Sequence, residues 1–163
     1  MGQWLCYDVD REMEAQNTLW QTCASGLLVL RKWQENGIIK PQKADGSRTR
    51  KVEMMRIRIY QIDVYRDING VAFEPFEQLE RLQGSPEVDP SLYDTVFEGA
   101  IRASSLEEIY MIFNTDLPPG YTGRCMSISD VIEIKGPEGK SSQFFYCDKI
   151  GFKRIRFESD RAE

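Results

Sequence analysis

The run Ser127-Ile128-Ser129-Asp130, with Asp148 further on, holds the residue types best suited to chemistry in this chain. Two carboxylates on adjoining strands can hold a divalent cation or divide acid–base work between them. That would make a metal-dependent hydrolase. The same residues have a plainer use, because Ser and Asp side chains bond nearby backbone N–H groups and fix the turn from loop to strand. The sequence favours the plainer use, for Asp148 before Gly151 as for the serine-aspartate run.

Three other groupings have the right chemistry. Gly120-Tyr121-Thr122-Gly123-Arg124 could cradle an anion with Arg124 as its fork. It lacks the spacing of a phosphate loop and is followed by a strand, so an ordered connection with Tyr121 packed on a sheet is the better reading. Arg56, Arg58 and Tyr60 share one strand face, and Lys153, Arg154 and Arg156 lie on another strand. A basic, aromatic sheet face can bind single-stranded nucleic acid by stacking and phosphate contact. Charged residues that guard strand edges are the simpler account. Cys125 and Cys147 sit among apolar and aromatic neighbours and read as buried structural thiols.

Histidine is absent from all 163 residues. This removes the Ser-His and Cys-His nucleophile pairs, the usual general base near neutral pH, and the commonest zinc ligand. The four cysteines are scattered without a CxxC pair, and they are expected as reduced thiols. No cofactor or metal is expected.

These groups need elements to hold them. Leu19, Trp20, Cys23, Ala24, Leu27, Leu28 and Trp33 fall on one helix face, with a stop at Asn36-Gly37. That stripe, with Trp20 and Trp33, could dock a partner. Residues 40–53 are polar and basic and read as a linker. From Met55, the alternation of Met55, Ile57 and Ile59 with Arg56, Arg58 and Tyr60 predicts a strand. Phe73, Phe76, Leu79 and Leu82 predict a helix that Gly84 ends. Tyr93–Ile101 predicts a strand with Tyr93, Thr95, Phe97 and Gly99 on one side. Ser104-x-x-Glu107 reads as a capping box for a helix over 104–114, with Leu106, Ile109, Tyr110 and Phe113 as its apolar face. Strands over 130–135, 143–148 and 153–157 complete a C-terminal β-meander. The expected class is α+β: an antiparallel sheet packed by two or three helices, plus an N-terminal helix. The expected division is residues 1–53, helix and basic linker, and 54–163, the domain.

The apolar fraction of 41% and charged fraction of 29% fit a globular chain, and the longest aliphatic run, Leu27–Leu30, is far too short to span a membrane. The opening MGQWLCYDVD resembles neither a secretory signal nor a myristoylation motif, so a cytoplasmic protein is expected. Net charge is −5, and it is uneven: residues 1–53 carry eight bases against seven acids, the remainder thirteen against nineteen. The acidic half argues against non-specific nucleic-acid binding, and its interspersed charges are only a weak imitation of nucleic acid.

Three stretches carry a resemblance: LEEIYMIFN (106–114), PPGYTGRCMSISDVIEI (118–134) and YCDKIGF (146–152). Together with the strand near Met55 and FEPFEQL (73–79), they resemble the YodL-like domain family over about residues 55–157. Its members show an acidic helix ending in Phe-Asn, a Pro-x-x-Tyr-x-Gly-Arg/His loop, an S-x-S-D strand and a Tyr-[CV]-Asp-[ST]-x-Gly-[FY] ending. Cys125-Met126 departs from the usual hydroxyl or apolar pair, and Lys149 from the usual small hydroxyl residue. The resemblance implies a small domain common on mobile elements of Gram-positive bacteria. It supplies no catalytic residue to carry over.

The resulting expectation is a non-enzymatic binding protein of a mobile element, a counter-defence inhibitor of anti-CRISPR or anti-restriction type. It would act on a host protein such as a nuclease. Trp20, Trp33, Tyr121, Arg124, Asp130 and Asp148 are its candidate contact residues. The alternative is a nucleic-acid-binding module using Arg56, Arg58, Tyr60, Arg154 and Arg156. The oligomeric state stays open.

Overall fold

A computed structural model describes residues 31–32, 35–37, 53–136 and 141–162. Five strands form one antiparallel sheet: β1 Glu53–Ile62, β2 Tyr93–Ala103, β3 Val131–Ile134, β4 Gln143–Cys147 and β5 Phe152–Ile155. Their order is β2-β1-β3-β4-β5, so the first strand lies inside the sheet and the meander extends from it. Two helices accompany the sheet, α1 Leu79–Gln83 and α2 Leu106–Thr115. The α+β arrangement is the one expected.

Both faces of the sheet are buried. On one, Ile57, Ile59, Phe97, Ile101 and Ile132 meet Ile109, Tyr110 and Phe113 of α2. These three α2 residues have no exposed surface, so the helix buries the face its spacing defined. On the other, Tyr60, Ile62, Tyr93, Val131 and Tyr146 meet Val71 and Leu79 from the β1–β2 connection and Phe157 after β5. Tyr60, Tyr93 and Phe144 ring Phe157 at centroid distances of 4.9, 5.4 and 5.5 Å.

Three expectations need correction. Tyr93, Thr95, Phe97 and Gly99 do not share a side. The pairing steps from Ile59↔Phe97 to Tyr60↔Thr95, which leaves Val96 as an extra residue in β2. This bulge reverses the alternation, so Tyr93 and Thr95 fall on the Tyr60 face, while Phe97 stays with Ile59. The segment predicted as a helix from Phe73 is a 3-10 turn, Phe76–Gln78, followed by the short α1, which Gly84 closes at φ 77°. Phe73 takes φ 66°, which no helix contains.

The start of α2 is also displaced by one residue. Two adjacent serines each have a glutamate three positions on, so sequence leaves the cap ambiguous. Ser105 is the N-cap, accepting from the Glu108 N–H at 3.2 Å, and the Glu108 carboxylate reaches back to the Ser104 N–H at 2.8 Å and hydroxyl at 2.7 Å. Ser105→Ala should therefore cost about 1 kcal/mol in urea unfolding. Ser104→Ala, which loses only an exposed contact, should cost less.

Ahead of the sheet, Arg31, Lys32 and Glu35 are helical and Gly37 takes φ 70°, in keeping with a stop at Asn36-Gly37. Trp20, Trp33, the rest of the expected N-terminal helix and the linker lie outside the described residues. Among the described residues, no helix is long and apolar enough to cross a membrane.

Candidate functional site

Gln61 continues the β1 phase of Ile57 and Ile59 into the core, where it is only 4% exposed. A buried amide must find partners, and the loop after α2 supplies them. The Gln61 Nε2 donates to Asp130 Oδ2 at 2.9 Å, to the Arg124 carbonyl at 2.9 Å and to the Tyr121 hydroxyl at 3.0 Å. Its Oε1 accepts from the Arg124 N–H at 2.9 Å. The approach is so close that a Cβ at Gly123 would collide with the Gln61 amide and with Val96. Only glycine fits there. The Tyr121 hydroxyl bonds the Arg124 carbonyl and closes the loop on itself.

Asp130 lies at the centre with no exposed surface. Arg124 grips it with both arms, Nη2 to Oδ1 at 2.6 Å and Nη1 to Oδ2 at 3.0 Å. The Ser127 N–H adds a bond to Oδ2 at 2.8 Å. Burial pushes the Asp130 carboxyl above its ordinary range, and the Arg124 charge with these hydrogen bonds works against that shift. Beneath the guanidinium, the Phe73 ring centroid is 4.5 Å from its carbon. The Phe73 N–H donates to Ser129 Oγ at 2.9 Å. Phe73 and Ser129 are the only non-glycine residues at positive φ among the described residues, at 66° and 77°. The Tyr93 hydroxyl holds the Ser129 carbonyl at 2.9 Å.

This geometry is a closed internal lock. The Arg124 fork that could have held an external anion holds the chain's own carboxylate, and the guanidinium side chain is only 13% exposed. Asp148 does not join Asp130. It accepts from the Phe76 N–H at 3.3 Å and the Lys149 N–H at 2.7 Å, and its own N–H bonds the Gly151 carbonyl at 3.0 Å. Each aspartate fixes its own turn, and no group of three or more potential metal ligands occurs among the described residues. Of the candidate contact residues, Asp130 has no exposed surface and Arg124 is part-buried against it. Tyr121 is half-buried against Phe97 and Phe113.

The basic, aromatic face is arranged differently from the expectation. Arg56, Arg58 and Tyr60 do share a face, but Tyr60 has no exposed surface on which a base could stack. Its hydroxyl donates to Glu133 Oε2 at 2.8 Å, and burial raises its pKa to about 12. Arg58 stands in register between Glu98 on β2 and Glu133 on β3, bonding Glu98 at 2.6 Å. Lys135 also reaches Glu98, and these two cations hold the Glu98 carboxyl below its usual range. Arg154 pairs across from Phe145, on the opposite face from Tyr60. The Arg58 and Arg154 side chains therefore do not converge.

Cys147 is a free thiol with no exposed surface, and burial pushes its pKa well up, so it is unreactive near neutral pH. Cys125 is buried but disulfide-bonded, which corrects the expectation of four reduced thiols.

Sequence reasoning read a turn signal at Ile68-Asn69-Gly70 after β1 but passed over its exposed apolar side chains. Val64, Tyr65 and Ile68 are 47%, 87% and 91% exposed. Their backbone is braced. Asp63 accepts from the Tyr65 N–H at 2.9 Å and pairs with Arg66 at 3.2 Å, and Arg66 also reaches Asp94 on β2. Asp67 accepts from the Val71 N–H at 3.0 Å and the Ala72 N–H at 2.7 Å. The signal in the sequence is three apolar residues set among Asp63, Arg66 and Asp67, where a solvent turn would be polar.

No curated protein and no solved structure matches the chain at a significant level. A family model described as the YodL-like domain matches residues 56–157, which contain the Asp130 lock, α2 and nearly all of the sheet. The chain belongs to the YodL-like domain family.

Proposed function

We propose that the protein is a non-enzymatic accessory protein of a mobile element that acts in the cytoplasm by binding another protein. Its role is counter-defence, of anti-CRISPR or anti-restriction type, and its target is a host nuclease. The observation that carries the binding role is the braced turn presenting Val64, Tyr65 and Ile68 to solvent. A stiff loop with an exposed aromatic and two aliphatic side chains loses little entropy on docking, and such anchors dominate protein interfaces. The mobile-element setting is what the family resemblance implies. The internal engagement of Asp130 with Arg124, Ser127 and Gln61 supports a structural role for the family's S-x-S-D run.

The test is a double variant, Tyr65→Ser with Ile68→Ser. Both side chains are exposed, so thermal unfolding should be unchanged. Affinity for the captured host protein should fall about thirtyfold or more, the loss expected when two interface anchors are removed. Unchanged affinity would remove the turn from the interface.

A further inference from the structure

Two concavities adjoin on the flank of the sheet beside β5. The larger, about 510 Å³, is lined by the apolar Phe76, Val88 and Pro90 and by Arg154, Ile155 and Arg156. The smaller, about 270 Å³, shares Glu87, Val88, Pro90 and Arg161 with it and reaches Asn69, next to the exposed Ile68. They form one groove from the sheet edge to the foot of the apolar turn.

The groove has three properties that together define an occupant. First, among the described residues β5 is the last strand of the sheet and pairs only with β4, so its outer backbone edge can take another strand. Second, Arg154 and Arg156 are exposed and have no ion-pair partner among the described residues. Of the groove's own acids, Glu158 and Asp89 are taken up by Arg161 at 3.2 and 3.7 Å, and Glu87 remains. Lys153 adds a further cation on the other face of β5, in register with Tyr146, its Nζ 3.7 Å from the Phe76 ring centroid. Third, Phe76, Val88 and Pro90 give an apolar floor next to these cations. A strand alternates its side chains between two sides, so a segment with alternating acidic and apolar residues meets all three properties at once.

We propose that this groove binds an extended acidic segment of a partner protein. The segment adds to the β5 edge, sets carboxylates against Arg154 and Arg156, and lays apolar side chains on Phe76, Val88 and Pro90. This rests on the reading of the protein as a protein-binding module and gives its partner a chemistry. Backbone pairing supplies affinity and the alternate side chains supply selectivity.

The test uses the full chain and a fluorescent peptide of about seven residues, the length of an ordinary strand, alternating Glu and Val. Anisotropy should report saturable binding that weakens with salt. Arg154→Ala with Arg156→Ala should lower affinity about tenfold or more. A Lys–Val peptide and a Glu–Val peptide with a central Pro should bind far more weakly. Absence of Glu–Val binding, or binding unchanged in the double variant, would overturn the proposal. Arginine-dependent binding of a single-stranded oligonucleotide in preference to the peptide would also overturn it, in favour of nucleic acid. The two readings fail separately. Lost peptide binding with a captured partner intact sinks the groove alone, whereas peptide binding with no cellular partner sinks the wider function.

Discussion

Asp130→Asn should destabilise the protein by about 3–5 kcal/mol, because it removes one half of a buried ion pair and leaves the other uncompensated. Arg124 would keep its charge in a site where its side chain is 13% exposed and where, among the described residues, Asp130 is its only carboxylate partner. The loss would spread. Asp130 Oδ2 also anchors Gln61 and the Ser127 N–H, so the loop over 121–130 would loosen from β1. Urea unfolding at neutral pH measures the effect. Removing both charges, with Arg124→Met and Asp130→Leu, should cost clearly less than the two single changes summed, since the double variant leaves no unpaired charge. A cost below about 1 kcal/mol for Asp130→Asn would mean that Arg124 escapes to solvent and that the lock is not structural.

Stability should also collapse in alkali, beginning near pH 10. Burial raises Tyr60 from 10.0 to about 12 and also raises Tyr93, Tyr110, Tyr121 and Tyr146 well above the usual tyrosine value. The sign follows from proton binding. Below pH 10 both states hold these protons, and the tyrosines contribute no pH dependence. Above it the unfolded chain loses them while the folded chain keeps them. The folded state is therefore disfavoured progressively as pH rises, for Tyr60 up to about 12. Each such tyrosine costs about 1.4 kcal/mol per pH unit, and five acting together make the fall steep. Denaturant midpoints across this range, followed with phenolate absorbance, test it. Phenolate should appear from these rings together with unfolding. Their gradual ionisation in a still-folded protein would show that the cores around them admit water.

Much of the fold was legible because its elements are amphipathic. The α2 face of Leu106, Ile109, Tyr110 and Phe113 and the β1 alternation of Ile57 and Ile59 each settle a period and a buried side. What was not legible depended on a partner distant in sequence. The β2 bulge at Val96 exists only against the Ile59/Tyr60 step of β1. Tyr60 reads as half of an exposed face until Glu133 and Phe157 are brought over it. Asp130 and Asp148 could pair or stay apart, and the Phe76 N–H, which draws Asp148 away, lies 72 residues upstream. Gln61 was missed, although a glutamine on the phase of Ile57 and Ile59 points toward the core and needs partners there. The turn at Val64, Tyr65 and Ile68 was readable in composition, but its brace to Asp94 was not.

The central claim is that this domain acts by holding another protein. Its most direct test is capture of partners on the tagged full chain from host-type lysate, with and without nuclease treatment, read by mass spectrometry beside the Tyr65→Ser/Ile68→Ser variant. The account predicts one predominant protein that survives nuclease treatment and is lost on the variant. A set of partners that vanishes with nuclease, or one held equally by the variant, would contradict it.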